Sequence, residues 1–363
     1  MRHLSSRRRH LPKLPAPGMT LIELMIALVL GLLVAGAASA LFITNRQTYS
    51  ATESIGRIQE NARVAFELMA RDLREAAGNA CGTPQANTVS VVDPAGAGFN
   101  WYTDFAGGIR GYGSTEAFAD SAFGTGAAQR VSGTDAIDLK SSLSSGITIE
   151  EHQPTSANFK VNTSAHDLHE GDIAMVCDSN HAAILQITSA SPGTNVTVVH
   201  NTGGSVKPGN CTKGLGTGCD SSPSTNGSPY EFGCAFGGLA PGIDCSLPQN
   251  KWTASIAKLK ATRWFIGNNG RGGKSLYQST LRNQAGVLNA ETNEITEGVE
   301  NMALQYLVQG AADYQAAAGI ADWGRVTAVR IDLTMIGEGR LGTDGKALER
   351  HLEHVVTIRN RSL

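Results

Sequence analysis

Residues 19–43, MTLIELMIALVLGLLVAGAASALFI, form an apolar run with one ionisable side chain, Glu23. As a helix rising 1.5 Å per residue, this run is about 37 Å long, enough to cross a bilayer. Residues 1–18 hold Arg2, Arg7, Arg8, Arg9 and Lys13 and no acid. A basic flank keeps its end of an apolar helix cytoplasmic, so everything after Ile43 is expected on the far side of the membrane. An ordinary secretory signal has an apolar stretch of about 7–15 residues followed by a small-residue cleavage site. This run is longer and leads straight into a second helical pattern.

That second pattern is TESIGRIQENARVAFELMARDLREAAGN, residues 52–79. Ile55, Ile58, Ala62, Ala65, Met69, Leu73 and Ala76 recur at spacings of three and four, which places them on one face of an amphipathic helix. Arg63 with Glu67, and Arg71 with Glu75, stand at i,i+4 on more exposed faces. Gly78 and Pro84 supply the expected stop, so residues 44–79 read as a continuation of the membrane helix. Together the two segments predict one helix of up to about 60 residues, on the order of 90 Å. Gly31, Ala35 and Ser39 line up at i,i+4 and would permit close helix–helix approach.

Beyond residue 80 the pattern changes to strands and loops. Residues 135–140, 171–178, 181–188 and 195–200 are short β-type runs. Residues 263–281 read as strand, Gly/Asn turn, strand. Residues 298–308 and 324–336 are further strand candidates, the first with some helical character, and residues 355–360 are a candidate last strand. The 42 glycines against 12 prolines suit a loop-rich β body. The expected class is therefore α+β: a long N-terminal helix packed on an antiparallel, β-rich head spanning 80–363.

A chain of 363 residues with 41% apolar content can bury a real core, and its formal charge of −2 gives no general reason to bind nucleic acid. All six cysteines, Cys81, Cys177, Cys211, Cys219, Cys234 and Cys245, follow the membrane segment. An even count there suits an oxidising periplasm. Fifteen pairings exist on paper. The crowding between Cys211 and Cys245 invites local bridges such as Cys211–Cys219 and Cys234–Cys245, within a Gly-, Pro-, Ser- and Cys-rich loop region at 201–250. With no C-x2-C pair, a zinc site is the weaker reading.

Other motifs reduce to structure. In GNNGRGGKS (267–275), Asn268 stands where a phosphate-binding loop needs glycine, so the stretch reads as a hairpin turn. Neither His166, His169 and Glu170 nor His351, Glu353 and His354 match a helical metal motif, and surface or strand-edge histidines are expected. Asp172, Asp178 and Asp332 read as strand-ending acids, and no calcium loop of the D-x-D-x-D-G kind is present. No serine sits in a nucleophile elbow. These readings leave no constellation for an enzyme, a metal or a cofactor.

Glu23 needs a reason. A charged carboxylate in mid-bilayer costs about 2.5–3.5 kcal/mol even on gentle insertion scales. Near the helix start it can snorkel toward the headgroups. A cut after Gly18 offers another answer: it creates a positive amino terminus at Met19, which the acid of a neighbouring helix can neutralise. In a low-dielectric setting such a pair sets register between packed helices.

The stretch G-M-T-L-I-E-L-M-I-A-L resembles the type IV prepilin processing motif. The resemblance implies cleavage after Gly18 by a membrane-embedded prepilin peptidase, N-methylation of Met19, and a recognition and assembly role for Glu23. Major pilins usually carry phenylalanine where Met19 stands. NARVAFELMARDLREAAG, GDIAMVCD, RWFIGNN, ITEGVENMALQYLV, RVTAVRIDLTMI and VVTIRNR resemble PilW-type minor pilins, from the leader to the C-terminus. That likeness implies a subunit that primes type IV pilus assembly and sits at or near the tip. It implies partners among other minor pilins, the major pilin, an inner-membrane assembly platform with its ATPase, and a tip adhesin. It places the protein first in the inner membrane with a periplasmic head, then in the surface fibre. The rival readings are a J-type minor pseudopilin of type II secretion and a tip binding module that presents the 201–250 loop.

Overall fold

The computed structural model describes residues 18–78, 80–82, 87–105, 107–143, 146–219, 230–234, 244, 246–342 and 344–361. One helix, α1 (Leu21–Glu75), runs for 55 residues, about 82 Å. It has no proline and only three glycines, Gly31, Gly36 and Gly56, so nothing breaks its hydrogen-bond ladder. It stops four residues before the expected end. Ala76 leaves the helical region, and Ala77 turns left-handed at φ 56°, where a glycine was expected to do the work. The Ala77 N–H donates to the Lys140 carbonyl at 2.8 Å, so tertiary pairing holds the strained residue.

Fifteen strands follow among the described residues. The first are β1 (Thr88–Ser90), β2 (Ile109–Tyr112), β3 (Ala136–Leu143), β4 (Ile149–Gln153) and β5 (Asn158–Val161). Next come β6 (Ile173–Cys177), β7 (Ala182–Gln186), β8 (Ser189–Ala190), β9 (Thr197–Val199) and β10 (Ser255–Asn268). The last are β11 (Lys274–Gln284), β12 (Val287–Glu297), β13 (Val299–Val308), β14 (Val326–Ile336) and β15 (Glu349–Thr357). The large sheet runs β1-β7-β6-β10-β11-β12, with β3 on the edge of β10 opposite to β6 and β11, and β2 beyond β3. A three-stranded sheet runs β13-β14-β15, and a four-stranded sheet β4-β5-β9-β8. All pairs are antiparallel except β1 with β7. The class is α+β, as the pattern predicts.

Of the 298–308 segment, all but Gly298 is strand with no helical part, because Val299, Met302, Leu304 and Tyr306 face a core built for extended chain. The 263–281 reading holds: β10 and β11 pair from Asn268–Lys274 outward, and residues 269–273 form the turn. The long exposed strand β12 has no clean apolar alternation, and the sequence pattern missed it. Asp332 sits inside β14, opposite Ala303 and Glu353, and does not end a strand.

Two main cores result. In the first, Ile58, Ala62, Ala65, Met69 and Leu73 of α1 pack against Ile137, Trp264 and Leu276 of the large sheet and Met302, Ile331 and Leu333 of the three-stranded sheet. Burying a side chain such as Met69 or Leu73 stabilises by about 1.5–3 kcal/mol. Small alanines at 62 and 65 let the helix backbone lie close to the strands. The expected face is correct except at its upper end, where Ser54 is buried and Ile55 only half-buried. The second core joins the four-stranded sheet to β6 and β7 through Phe159, Leu185, Val198 and Phe232, with no helix residue in it.

Candidate functional site

The helix start carries the chemistry singled out in the sequence. Gly18, Met19 and Thr20 are exposed, and Thr20 is the N-cap of α1. The Thr20 Oγ1 accepts from the Glu23 backbone N–H at 3.3 Å. The Glu23 carboxylate accepts from the Thr20 N–H and the Thr20 hydroxyl, each at 2.9 Å. This is a reciprocal capping box, which satisfies two donors that a helix start otherwise leaves open. T-L-I-E spells the S/T-x-x-E signature, a signal the reading of Glu23 as a partner for another chain passed over. The acid therefore already has partners in the single subunit. The cap also turns its carboxylate back toward Met19, the residue that a cut after Gly18 would leave with a free amine.

Below the cap, every large apolar side chain of the run is exposed, from Met19 at 68% to Ile43 at 56%. This part of α1 is long and apolar enough to cross a membrane, and no described residue buries it. Added side-chain atoms at Gly31 or Gly36 would meet open space. The small-residue stripe thus faces outward, available to another helix or to lipid.

The other half of α1 is fixed to the head by a buried acid, Asp72. Its carboxylate accepts from Lys260 Nζ at 2.6 Å, Trp264 Nε1 at 3.0 Å and Gln278 Nε2 at 2.8 Å. Three donors from β10 and β11 compensate its burial at 6% exposure. Sequence reasoning did not find it, because Asp72 lies beside the apolar stripe and looks like one more surface charge. The expected pairs on the outer face do form, Arg63–Glu67 at 2.8 Å and Arg71–Glu75 at 3.3 Å.

The cysteines divide. Cys81, just past the helix exit, is bonded to Cys177 at the end of β6, a pairing that the crowding near Cys211 did not suggest. Cys211 is bonded to Cys219. Cys234 is disulfide-bonded, while the Cys234–Cys245 pairing involves Cys245, which lies outside the described residues. Asn210 explains how the start of the 201–250 region is held. Its side chain donates to the Gln186, His200 and Asn201 carbonyls and accepts from the Gln186 N–H.

Among the histidines, His169 and His351 are exposed, as expected. His166 is buried, held through Nε2 near the Asn195 carbonyl at 3.2 Å, which corrects its surface reading. His354 is half-buried against Phe66. Two histidines that the sequence did not mark, His152 and His200, sit fully inside the second core around Phe159. Burial pushes His200 down to about 3 and His152 well below its usual range, so both are neutral there. No group of three His, Cys, Asp or Glu with metal-binding geometry occurs among the described residues.

Comparison with known families agrees with this geometry at both ends of the framework. Residues 16–39 match the prokaryotic N-terminal methylation motif, covering the cap and most of the exposed helix. Residues 263–356 match the type IV pilus-assembly protein W family, covering the last part of β10 and all of β11 to β14, and most of β15. No match was found among curated proteins. A processing-type helix start and a PilW-type head segment on one continuous chain support a PilW-type pilin, and the long apolar helix fits a membrane-anchored one.

Proposed function

We propose that this pilin is a minor subunit that primes or joins type IV pilus assembly at or near the tip. The observation that carries the reading is α1 itself: one uninterrupted helix, bare and apolar at its start and locked into a head at its end. Such a shape suits lateral packing of the bare half with other helices of its kind while the head stays outside. Prepilin peptidase cuts between Gly18 and Met19 and methylates the new terminus. The anchor sits in the inner membrane, with the head in the periplasm until assembly.

The capping box gives Glu23 a two-stage role. In the isolated subunit, Thr20 supplies its donors and lowers the cost of holding an acid in an apolar helix. In the fibre, the amine of a neighbour's Met19 competes for the same oxygens with a full charge, which is worth more where water is excluded. The chain acts as a structural subunit, and the reading assigns no catalysis to it. Its partners are other minor pilins, the major pilin and the assembly platform.

The test is mass spectrometry of the protein recovered from sheared surface fibres. The reading expects an N-methylated Met19 terminus there, and Gly18→Ala should leave full-length precursor in the membrane. A mature chain that still begins with the arginine-rich leader would end the processing claim. Recovery only from a type II secretion complex, never from pili, would move the same subunit to the pseudopilin reading.

A further inference from the structure

Lys140 on β3 is 6% exposed as a residue, its stem buried, and no hydrogen bond or ion pair joins its ammonium to another described residue; the ammonium opens onto solvent instead of being sealed in the core. Its backbone is fixed on both sides: its N–H donates to Gly108 O and its carbonyl accepts from Ala77 N–H, each at 2.8 Å. The side chain lines a cavity of about 590 Å³ beside the helix exit. Phe105, Met175, Ile184 and Leu259 give that cavity an apolar floor. Arg359 and Arg361 also line it, and no acid does so among the described residues.

Asp138 and Asp104 favour the charged form of Lys140 electrostatically, but burial outweighs them. Asp138 is held by both Arg263 Nε at 2.6 Å and the Tyr112 hydroxyl at 2.8 Å. Burial pulls the Lys140 amine below its ordinary range, the direction expected of a cation without a close counter-charge. The stem is buried while the ammonium faces the cavity, so methionine would fill the same stem space and remove only the charge that lines it.

We propose that this cavity is a binding site for a carboxylate carried on an apolar body, with Lys140 as its ion partner. The floor takes the apolar body and the ammonium takes the acid. Arg361 is committed to backbone carbonyls, among them those of Trp323, Val326 and Gly107, so its guanidinium is not free to fork a phosphate. The site is independent of the processing and assembly roles of the helix start.

Calorimetric titration of the detergent-solubilised full chain tests this with hexanoate, hexanamide and inorganic phosphate. Hexanoate should bind, and hexanamide and phosphate should each bind at least about tenfold more weakly. Lys140→Met should weaken hexanoate at least about tenfold while melting no lower than the parent chain. A tetrapeptide ending in a free leucine carboxylate, set beside its amide, separates a protein-borne acid from a free fatty acid, the tighter acid naming the source. Equal binding of hexanoate and hexanamide, tighter binding of phosphate, or unchanged binding by Lys140→Met overturns the proposal. So does a Lys140→Met protein that melts well below the parent, because the lysine would then be structural. Leu259→Phe, which narrows the floor and keeps the charge, gives a second reading: unchanged hexanoate affinity also counts against the site.

Discussion

The two halves of α1 are continuous in backbone and opposite in surroundings. From Met19 to Ile43 the large side chains are exposed, and among the described residues the polar anchor is the Thr20–Glu23 cap. From Ser54 to Leu73 one face is buried between two sheets, and Asp72 is bound by three donors. The two halves use small residues differently: the head half sets Ala62 and Ala65 against the strands, whereas the membrane half leaves Gly31, Ala35 and Ser39 open among exposed Leu, Ile and Val. One half is specified by its own chain, and the other is left for contacts that only an assembly or a bilayer supplies.

Substitutions on either side can break that contrast. The largest effect is expected from replacing Cys81 and Cys177 with serine, because the bond closes a loop spanning a sequence separation of 96. Chain-entropy arguments give a loss of about 4–5 kcal/mol, measured as a shift in the denaturation midpoint of the head. The same change at Cys211 and Cys219, separated by 8, should cost about 2–3 kcal/mol. Asp72→Leu strands the Trp264 and Gln278 donors and half-exposed Lys260, and should cost about 2–4 kcal/mol in the same assay. Equal stability would show that the helix is held by apolar packing alone.

Met69→Ala against Leu30→Ala sharpens the comparison directly. The first opens a cavity in the core and should cost about 2–4 kcal/mol. The second, on the exposed half, should leave head stability within about 0.5 kcal/mol. The smallest effect is at the cap. Thr20→Ala should cost about 1 kcal/mol and fray only the first turn, seen as faster amide exchange there. If exchange quickens along the whole of α1, the halves are coupled more tightly than their contacts suggest.

The helix was legible in the sequence because its periodicity runs for many turns and its processing motif is local. Ile58, Ala62, Ala65, Met69 and Leu73 could be read from spacing alone. The strands with alternating apolar residues, β13 and β14, were legible for the same reason. β12 was not, because both its faces are largely polar, and β1, β2, β4, β5 and β8 are short runs that lack the continuous apolar stretch marking β6 and β7. Asp72 and Lys140 were hidden for another reason. Each is defined by residues far away in the chain, such as Trp264 for one and Leu259 and Arg361 for the other, and no local pattern encodes those meetings. Cys81–Cys177 belongs to the same class.

That bond also decides how a tug on the anchored helix travels. It lies just beyond Glu75 and ends on β6, an interior strand between β7 and β10. Tension along the fibre axis therefore enters the middle of the large sheet through a covalent shortcut, and the loops between residues 81 and 177 are spared the strain. A retracting filament would pull on this head as on a knot tied near the rope, not at its frayed end.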